Sequence, residues 1–145
     1  MDAAAATRFA RQLALPEVGP AGQERVARAR ALIVGDGVAA EIVARYLAAA
    51  GVGTLRLVGG ETGAWTSALR GSNPDVIVER QARPADGAAW VKALEGVSIV
   101  VRADFDDDAL MPAAIRRGVP LVVLRGQTDA DVVDVVSFRK HGPCP

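Results

Sequence analysis

The sequence predicts one α/β domain with a doubly wound, mostly parallel sheet and helices on both faces, the Rossmann-like architecture. Short apolar runs rich in β-branched residues alternate along the chain with alanine-rich segments of helical spacing. This alternation is typical of parallel sheets that are covered by helices. A length of 145 residues suits one ordinary domain with a single core. We therefore expect residues 1–145 to form one unit.

The elements are predicted in order from the spacing of the apolar residues. A helical N-terminal segment covers residues 7–30, and its helix over 22–30 turns Val26 inward. The sheet core covers residues 31–138. Its predicted strands are 31–34, 54–58, 75–79, 97–101, 120–124 and 132–138. The predicted helices between them are 39–50, 85–94 and 107–117, and Gly118 stops the last one.

Two of these elements carry more specific predictions. The helix over 39–50 ends at Gly51, and four of its residues have the spacing of core positions: Ile42, Val43, Tyr46 and Leu47. No helix separates the strand over 132–138 from the strand before it. We therefore expect this last strand to be antiparallel and to lie at the edge of the sheet.

The composition limits the classes of partner. The 17 basic and 17 acidic residues cancel, so no overall field favours nucleic acid or an anionic membrane. The single cysteine, Cys144, excludes an intrachain disulfide and a self-contained cysteine-rich zinc site. No apolar run approaches the length of a membrane span, and the N-terminus lacks the apolar core of a signal peptide. The expectation is a soluble, cytoplasmic protein with no metal of its own.

A glycine-rich loop, residues 35–40, follows the first predicted strand and opens onto a helix. In this G-x-G-x-x-A pattern Gly35 permits a tight turn, Gly37 lets a phosphate approach the backbone, and Ala40 lets the helix pack on the strand. The N–H groups at the start of the helix then offer an anion site. The alternative is a tight turn with no ligand, which the negative charge of Asp36 favours.

Several segments around this loop follow one another in a distinctive order. They are 8–13 (RFARQL), 15–19 (LPEVG), 22–25 (GQER), 29–35 (ARALIVG) and 46–54 (YLAAAGVGT), followed by shorter matches at 73–74, 118–121 and 142–144. In this order they resemble the ThiF/MoeB/HesA family of E1-like enzymes. The resemblance is dense from Arg8 to Val58 and thins beyond that point.

The resemblance implies an activity and partners. Members of the family use MgATP to adenylate the C-terminal glycine of a ubiquitin-like modifier or sulfur carrier, and they are usually homodimers. Arg11 matches an arginine that reaches into the nucleotide site of the partner subunit. The alternative for Arg11 is a solvated arginine on a short helix, because exposed charges rarely need a function.

The chain departs from the family pattern around the nucleotide. Gly59 stands where the family has the aspartate that binds ribose, and Glu61 matches a second acidic position or is simply solvated. Arg70 matches an arginine that contacts phosphate. The family then has a helix with a phosphate-binding lysine, but here Asn73 and Pro74 follow Arg70 almost at once. We therefore expect that helix to be deleted.

The chain also departs from the pattern at the family's metal cluster. The fourth strand should end at an Asp-x-x-Asp-Asn sequence, and this chain has Arg102 and Phe105 at the two aspartate positions. The acidic run 106–108 is better explained as a cap for the next helix. Carboxylates there accept hydrogen bonds from the free N–H groups of the first turn. Near the end, His141 and Cys144 supply at most two of the four ligands that zinc needs. No catalytic residue is assigned.

Three hypotheses follow. The preferred one is a degenerate, catalytically impaired family member, a pseudoenzyme that acts as a dimeric binding or scaffold module and binds ATP weakly or not at all. The second is a reduced but active ATP-dependent adenylyltransferase that acts on a ubiquitin-like or sulfur-carrier protein. Its candidate nucleotide-binding residues are Gly35, Gly37, Ala40, Glu61, Arg70 and Arg11. The third is a nucleotide sensor that uses the glycine loop alone, and the absence of an acid at Gly59 counts against it.

Overall fold

The computed structural model describes residues 2–59, 63–126 and 133–138 of the chain. Its strands are β1 (Arg30–Val34), β2 (Thr54–Val58), β3 (Ile77–Gln81), β4 (Ile99–Ala103), β5 (Leu121–Gly126) and β6 (Val133–Phe138). Its helices are α1 (Ala3–Arg8), α2 (Ala10–Leu13), α3 (Gly19–Arg28), α4 (Val38–Ala49), α5 (Gly63–Ser72), α6 (Gly87–Ala93) and α7 (Leu110–Arg117).

The six described strands form one sheet in the order β3-β2-β1-β4-β5-β6. The first five are mutually parallel, and β6 runs antiparallel to β5 at the edge. This arrangement confirms the predicted fold class and the predicted antiparallel edge strand.

Alternate residues along the central strands divide the core into two layers, because successive side chains of a strand point to opposite faces. On one face, Leu32 and Val100 pack with Trp90 of α6 and Leu110 of α7. On the other face, strand residues pack with the alanines of α4 and with Leu69 of α5; Ala31, Ile33 and Leu55 are among them. The α4 and α5 layer therefore lies opposite the α6 and α7 layer.

Helix α4 turns a different face inward from the one predicted. Its fully buried residues are Ala40, Ala44 and Ala48, and these small side chains let the helix lie close to the sheet. Ile42 and Tyr46 are 47% and 75% exposed, so their assignment to the core was wrong. Val43 and Leu47, the other two residues predicted there, are half-buried against the core on this face of the sheet, as the spacing indicated.

Other boundaries shift for local reasons. The side chain of Asn73 accepts a hydrogen bond from the N–H of Asp75 at 3.1 Å, so this segment forms a turn, and β3 begins two residues later than predicted. Helix α7 begins at Leu110, three residues later than predicted, because Asp107 forms a turn by accepting from the N–H of Ala109. Helix α5 lies between β2 and β3, where no helix was predicted. The lysine-bearing helix of the family, which was expected to be deleted, would follow Arg70, and α5 ends two residues after Arg70.

In the part of the chain that the structure describes, no helix has both the length and the apolar character needed to cross a membrane.

Candidate functional site

The candidate site lies where the strand order reverses. Strands β1 and β4 are neighbours in the sheet, and their register pairs Val34 with Arg102 at the carboxyl ends. Connections lead away from these two strands to opposite faces, which leaves a crevice beyond their ends, and ligands of open α/β sheets bind in such crevices. Gly35, Gly59 and Asp104 directly follow three of the strands at this edge.

The glycine loop has the geometry that its sequence predicts. Gly35 has φ +146°, and a Cβ on it would collide with the carbonyl oxygen of Ala103. Its N–H donates to the carbonyl of Val58 at 2.9 Å, and Ala40 is fully buried beneath the loop. Gly37 caps α4, and a Cβ there would meet nothing within 4 Å. Open space therefore remains beside the first N–H groups of α4, where an anion can approach.

The backbone conformation at position 59 requires a glycine. Gly59 has φ +144°, a conformation that side chains disfavour, and a Cβ would collide with the carbonyl oxygen of Gly35. Position 59, where the resemblance places the ribose-binding aspartate of the family, therefore has no room for a carboxylate side chain in this backbone. Glu61, which matches a second acidic position of the family or is simply solvated, lies outside the described residues.

The two arginines of the predicted site lie on helix surfaces. Arg70 is exposed in the last turn of α5, and Arg11 is exposed in α2. Among the described residues, no hydrogen bond or ion pair joins either of them to the glycine loop. Their roles at a nucleotide remain predictions.

Arg102 is the residue of this edge whose environment was not predicted. It is only 5% exposed, and it lines three adjoining cavities at the carboxyl ends of β4 and β5. Within residues 2–59, 63–126 and 133–138, its guanidinium makes no hydrogen bond and no ion pair. A buried charge normally requires a partner. The sequence identified the substitution at this position but carried no signal of the burial.

In the acidic run after β4, Asp107 makes hydrogen bonds that stabilise the fold. The Asp107 carboxylate is 7% exposed, and Oδ1 accepts from the N–H groups of Ala109 and Leu110 at 2.9 and 3.2 Å. Oδ2 accepts from Trp90 Nε1 at 3.1 Å and from Arg83 Nε at 3.1 Å. The N-cap residue of α7 is Ala109, and of the predicted acidic run Asp107 accepts from two N–H groups at the start of the helix. The contacts with Arg83 and Trp90 come from distant segments and had no signal in the sequence.

These carboxylates do not fit a magnesium ion. Asp104 has φ +47°, and its Oδ1 accepts from the N–H of Gly126 at 2.9 Å. Asp107 already accepts hydrogen bonds on both oxygens, and Arg102 places a positive charge at the end of the same strand. No group of three metal-binding side chains occurs in the described part of the chain.

Two separated segments of the family-like sequence meet near the N-terminus. Arg8 Nη1 donates to Asn73 Oδ1 at 3.2 Å and lies 3.4 Å from Asp75 Oδ2. Gln23 of α3 is 2% exposed, and its Nε2 donates to the carbonyl of Ala50 at 3.0 Å. These contacts fasten α1 and α3 to the sheet layer, so we assign Arg8, Gln23 and Asn73 a structural role.

Comparisons with known proteins agree with the resemblance seen in the sequence. The model of the ThiF family matches residues 9–62. The chain is 32% identical, over 147 aligned positions, to the SAMP-activating enzyme E1 of Haloferax volcanii; the match covers 84% of this chain and 54% of that protein. It is 51% identical over 51 residues to the sulfur carrier protein adenylyltransferase of Thermus thermophilus, which covers 35% of this chain and 19% of that protein.

Solved structures share the fold. The tRNA N6-threonylcarbamoyladenosine dehydratase TcdA of E. coli, in complex with AMP, aligns with a TM-score of 0.71 at 21% identity, over 84% of this chain and 60% of that one. The sequence matches confirm the predicted resemblance to the ThiF family, and the solved structure confirms the Rossmann-like fold. The chain spans about half or less of the length of the curated relatives named above.

Proposed function

We propose that this domain is a binding or scaffold module of the E1-like type that forms a homodimer and does not adenylate a carrier protein by itself. The observation that carries the proposal is the buried Arg102 at the carboxyl end of β4. A fixed positive charge there repels a divalent cation, because charges interact strongly where little water screens them. Without magnesium, nothing bridges the pyrophosphate that leaves during adenylation.

The geometry of Gly59 supports the same proposal. With no room for a carboxylate there, the ribose hydroxyls lose an acceptor, at a cost of about 1 to 3 kcal/mol in binding. The glycine loop still offers N–H groups to a phosphate beside Gly37. ATP is therefore proposed as a weak ligand at most, and magnesium as a minor contributor to its binding. We also propose a cytoplasmic location.

A second candidate function is supported by the relatives. One of them is named as a sulfur carrier protein adenylyltransferase, and the anion-binding end of α4 is open. In that case the domain is a reduced adenylyltransferase that uses Arg70, and Arg11 of a second copy, at the phosphates. Its substrate is the C-terminus of a ubiquitin-like or sulfur-carrier protein.

Pyrophosphate–ATP exchange separates the two functions. The domain is assayed with magnesium and a ubiquitin-like carrier from the same organism, and the Thermus thermophilus adenylyltransferase with its own carrier is the positive control. We expect no exchange above background, because the cations that offset repulsion at the phosphates are incomplete.

The variants Arg70→Ala and Arg117→Ala form a matched pair, since both replace an exposed arginine in the last turn of a helix. Exchange that is present in the wild type and in Arg117→Ala, but lost in Arg70→Ala, would overturn the scaffold proposal. It would establish the adenylyltransferase instead.

A further inference from the structure

A cavity of about 280 Å³ lies between β4, β5, β6 and α7. One part of its wall is apolar and includes Met111, Val123 and Phe138, together with two valines of β6. The other part carries the charged side chains Arg102, Arg125 and Asp134. An apolar cavity with a few converging polar groups is the usual form of a small-molecule site.

Arg102 points to a ligand because its side chain is withdrawn from the surface, lines the cavity and has no partner among the described residues. Its guanidinium has five N–H donors, and no described residue accepts from them or pairs with them. A guanidinium that faces a cavity, with bulk water largely excluded, is stabilised when an anion or acceptor in that cavity accepts from its N–H groups. Arg102 lines this cavity, so an anion inside it can reach the side chain.

The charges around Arg102 distinguish the cavity from its neighbours. Among the described residues that line the 280 Å³ cavity, Arg102 and Arg125 are positively charged and Asp134 is negatively charged, and Asp134 also has an interaction of its own. In the adjoining cavity of about 470 Å³, the same two arginines are balanced by Asp104 and Asp106. The described lining residues of the smaller cavity thus combine an excess of arginine with an apolar wall, which favours an anion that also carries an apolar group.

We propose that this cavity binds a small monocarboxylate with an apolar chain. The carboxylate pairs with the Arg102 guanidinium, whose planar donors match the two oxygens of such a group. The chain contacts the wall formed by Met111, Val123 and Phe138. The ligand is a free carboxylic acid or the C-terminal carboxylate of a peptide with an apolar last residue. The site goes beyond the proposed function, since its occupation requires neither nucleotide nor metal.

The first test is calorimetric titration of the purified chain with sodium hexanoate and with hexanamide, which has the same chain but no charge. Ionic strength is matched with sodium chloride. We expect hexanoate to bind about tenfold or more tightly than hexanamide, because the amide forms no charge-assisted pair with Arg102. Equal binding of the two probes, or no binding of hexanoate, overturns the proposal.

The second test uses Arg102→Met, with Arg117→Met as a control on the exposed surface of α7. Hexanoate binding is expected to weaken about tenfold or more in Arg102→Met and to stay within about twofold of wild type in Arg117→Met. Circular dichroism checks that each variant is folded. If Arg102→Met does not fold, Arg125→Met, whose residue is exposed, replaces it with the same expectation. Undiminished binding in the folded variant contradicts the assignment.

A third set of probes separates the ligand sources. N-acetyl-leucine, compared with N-acetyl-leucinamide, stands for the end of a peptide, and hexanoate stands for a free acid. The tighter of the two carboxylates identifies the source, and either result supports the site. Inorganic phosphate that binds more tightly than both carboxylates, and does so through Arg102, overturns the assignment to a monocarboxylate. Because no arm contains ATP, failure here is distinct from failure of the proposed function.

Discussion

Asp107 shows how one side chain joins distant parts of the chain. It accepts from the backbone at the start of α7, from the indole of Trp90 in the core, and from Arg83, whose guanidinium carbon lies 4.7 Å from the centroid of the Phe105 ring. Its capping role follows from the acidic run alone, since helix N-termini favour carboxylates. The partners from residues 83 and 90 are tertiary contacts, and no local pattern predicts them.

Replacement of Asp107 by alanine is expected to destabilise the fold by about 2 to 4 kcal/mol. The change leaves the buried indole N–H of Trp90 unsatisfied and removes the helix cap together with a charged pair. Urea denaturation measures the difference in the free energy of unfolding. Asp108→Ala, an exposed neighbour, is the control, with a change of less than about 0.5 kcal/mol. Similar values for the two variants would show that the network adds little.

Helix α4 illustrates what can be predicted at the scale of an element. Its position and length were predicted within one residue, because alanine-rich apolar periodicity is a strong helix signal. Its inward face was assigned wrongly, since large apolar residues were preferred for the core. The sheet instead receives Ala40, Ala44 and Ala48, and the outer face carries Val38, Ile42 and Tyr46, which are 71%, 47% and 75% exposed. Such a stripe is typical of a surface that another protein covers.

Helix α5 was missed altogether. Its sequence contains glycine, serine and threonine, whose helix propensities are low. Burial of Leu69 against the α4 layer stabilises it. Tertiary packing thus outweighs the propensity of its residues, which no window of the sequence reveals.

The exposed stripe of α4 leads to a prediction about assembly. We expect light scattering of the wild type to give about twice the chain mass of 15.0 kDa, with the dimer stabilised by burial of apolar area at α4. The double change Ile42→Ser and Tyr46→Ser is expected to give a folded monomer. The control Glu41→Ser and Arg45→Ser removes an exposed ion pair of the same helix and is expected to remain dimeric.

Two outcomes would contradict this prediction. A strictly monomeric wild type at high micromolar concentration contradicts the dimer itself. A double variant, Ile42→Ser with Tyr46→Ser, that stays dimeric excludes the outer face of α4 as the interface.

At the scale of the whole molecule, the fold was predictable from the sequence, but the burial and close contacts of the residues at the candidate site were not. Alternation of strands and helices indicated the parallel sheet, and the missing last helix indicated its antiparallel edge. The same sequence placed Arg102 at a metal-binding position of the family. Its burial, and the collision that excludes a carboxylate at Gly59, depend on how separate loops approach one another, and these distances are set only by the complete fold.

The crevice at the end of the sheet leads to a prediction about nucleotide. Calorimetry is expected to show weak or undetectable ATP binding, and magnesium is expected to change the affinity less than about threefold, because the described carboxylates do not form a site for it. Any residual binding is expected to disappear in Gly37→Val, whose side chain fills the open space beside α4. The matched change Gly71→Val, at another open glycine, should leave it unaltered. Tight, magnesium-dependent binding would contradict the prediction.

The strand order also has a consequence for how the chain folds. Strands β1 to β3 pair with their neighbours along the chain, and so do β4 to β6, whereas the seam between the two halves pairs Ala31 with Ile99. Closing so long a loop costs conformational entropy before the contacts that it brings together stabilise the fold. Contacts of this kind therefore form late and slow the rate of folding. We infer that the two halves acquire structure first and join last along β1 and β4. Arg102 pairs with Val34 across that seam and with Val123 in its own half, so its surroundings are complete only when the two halves have joined.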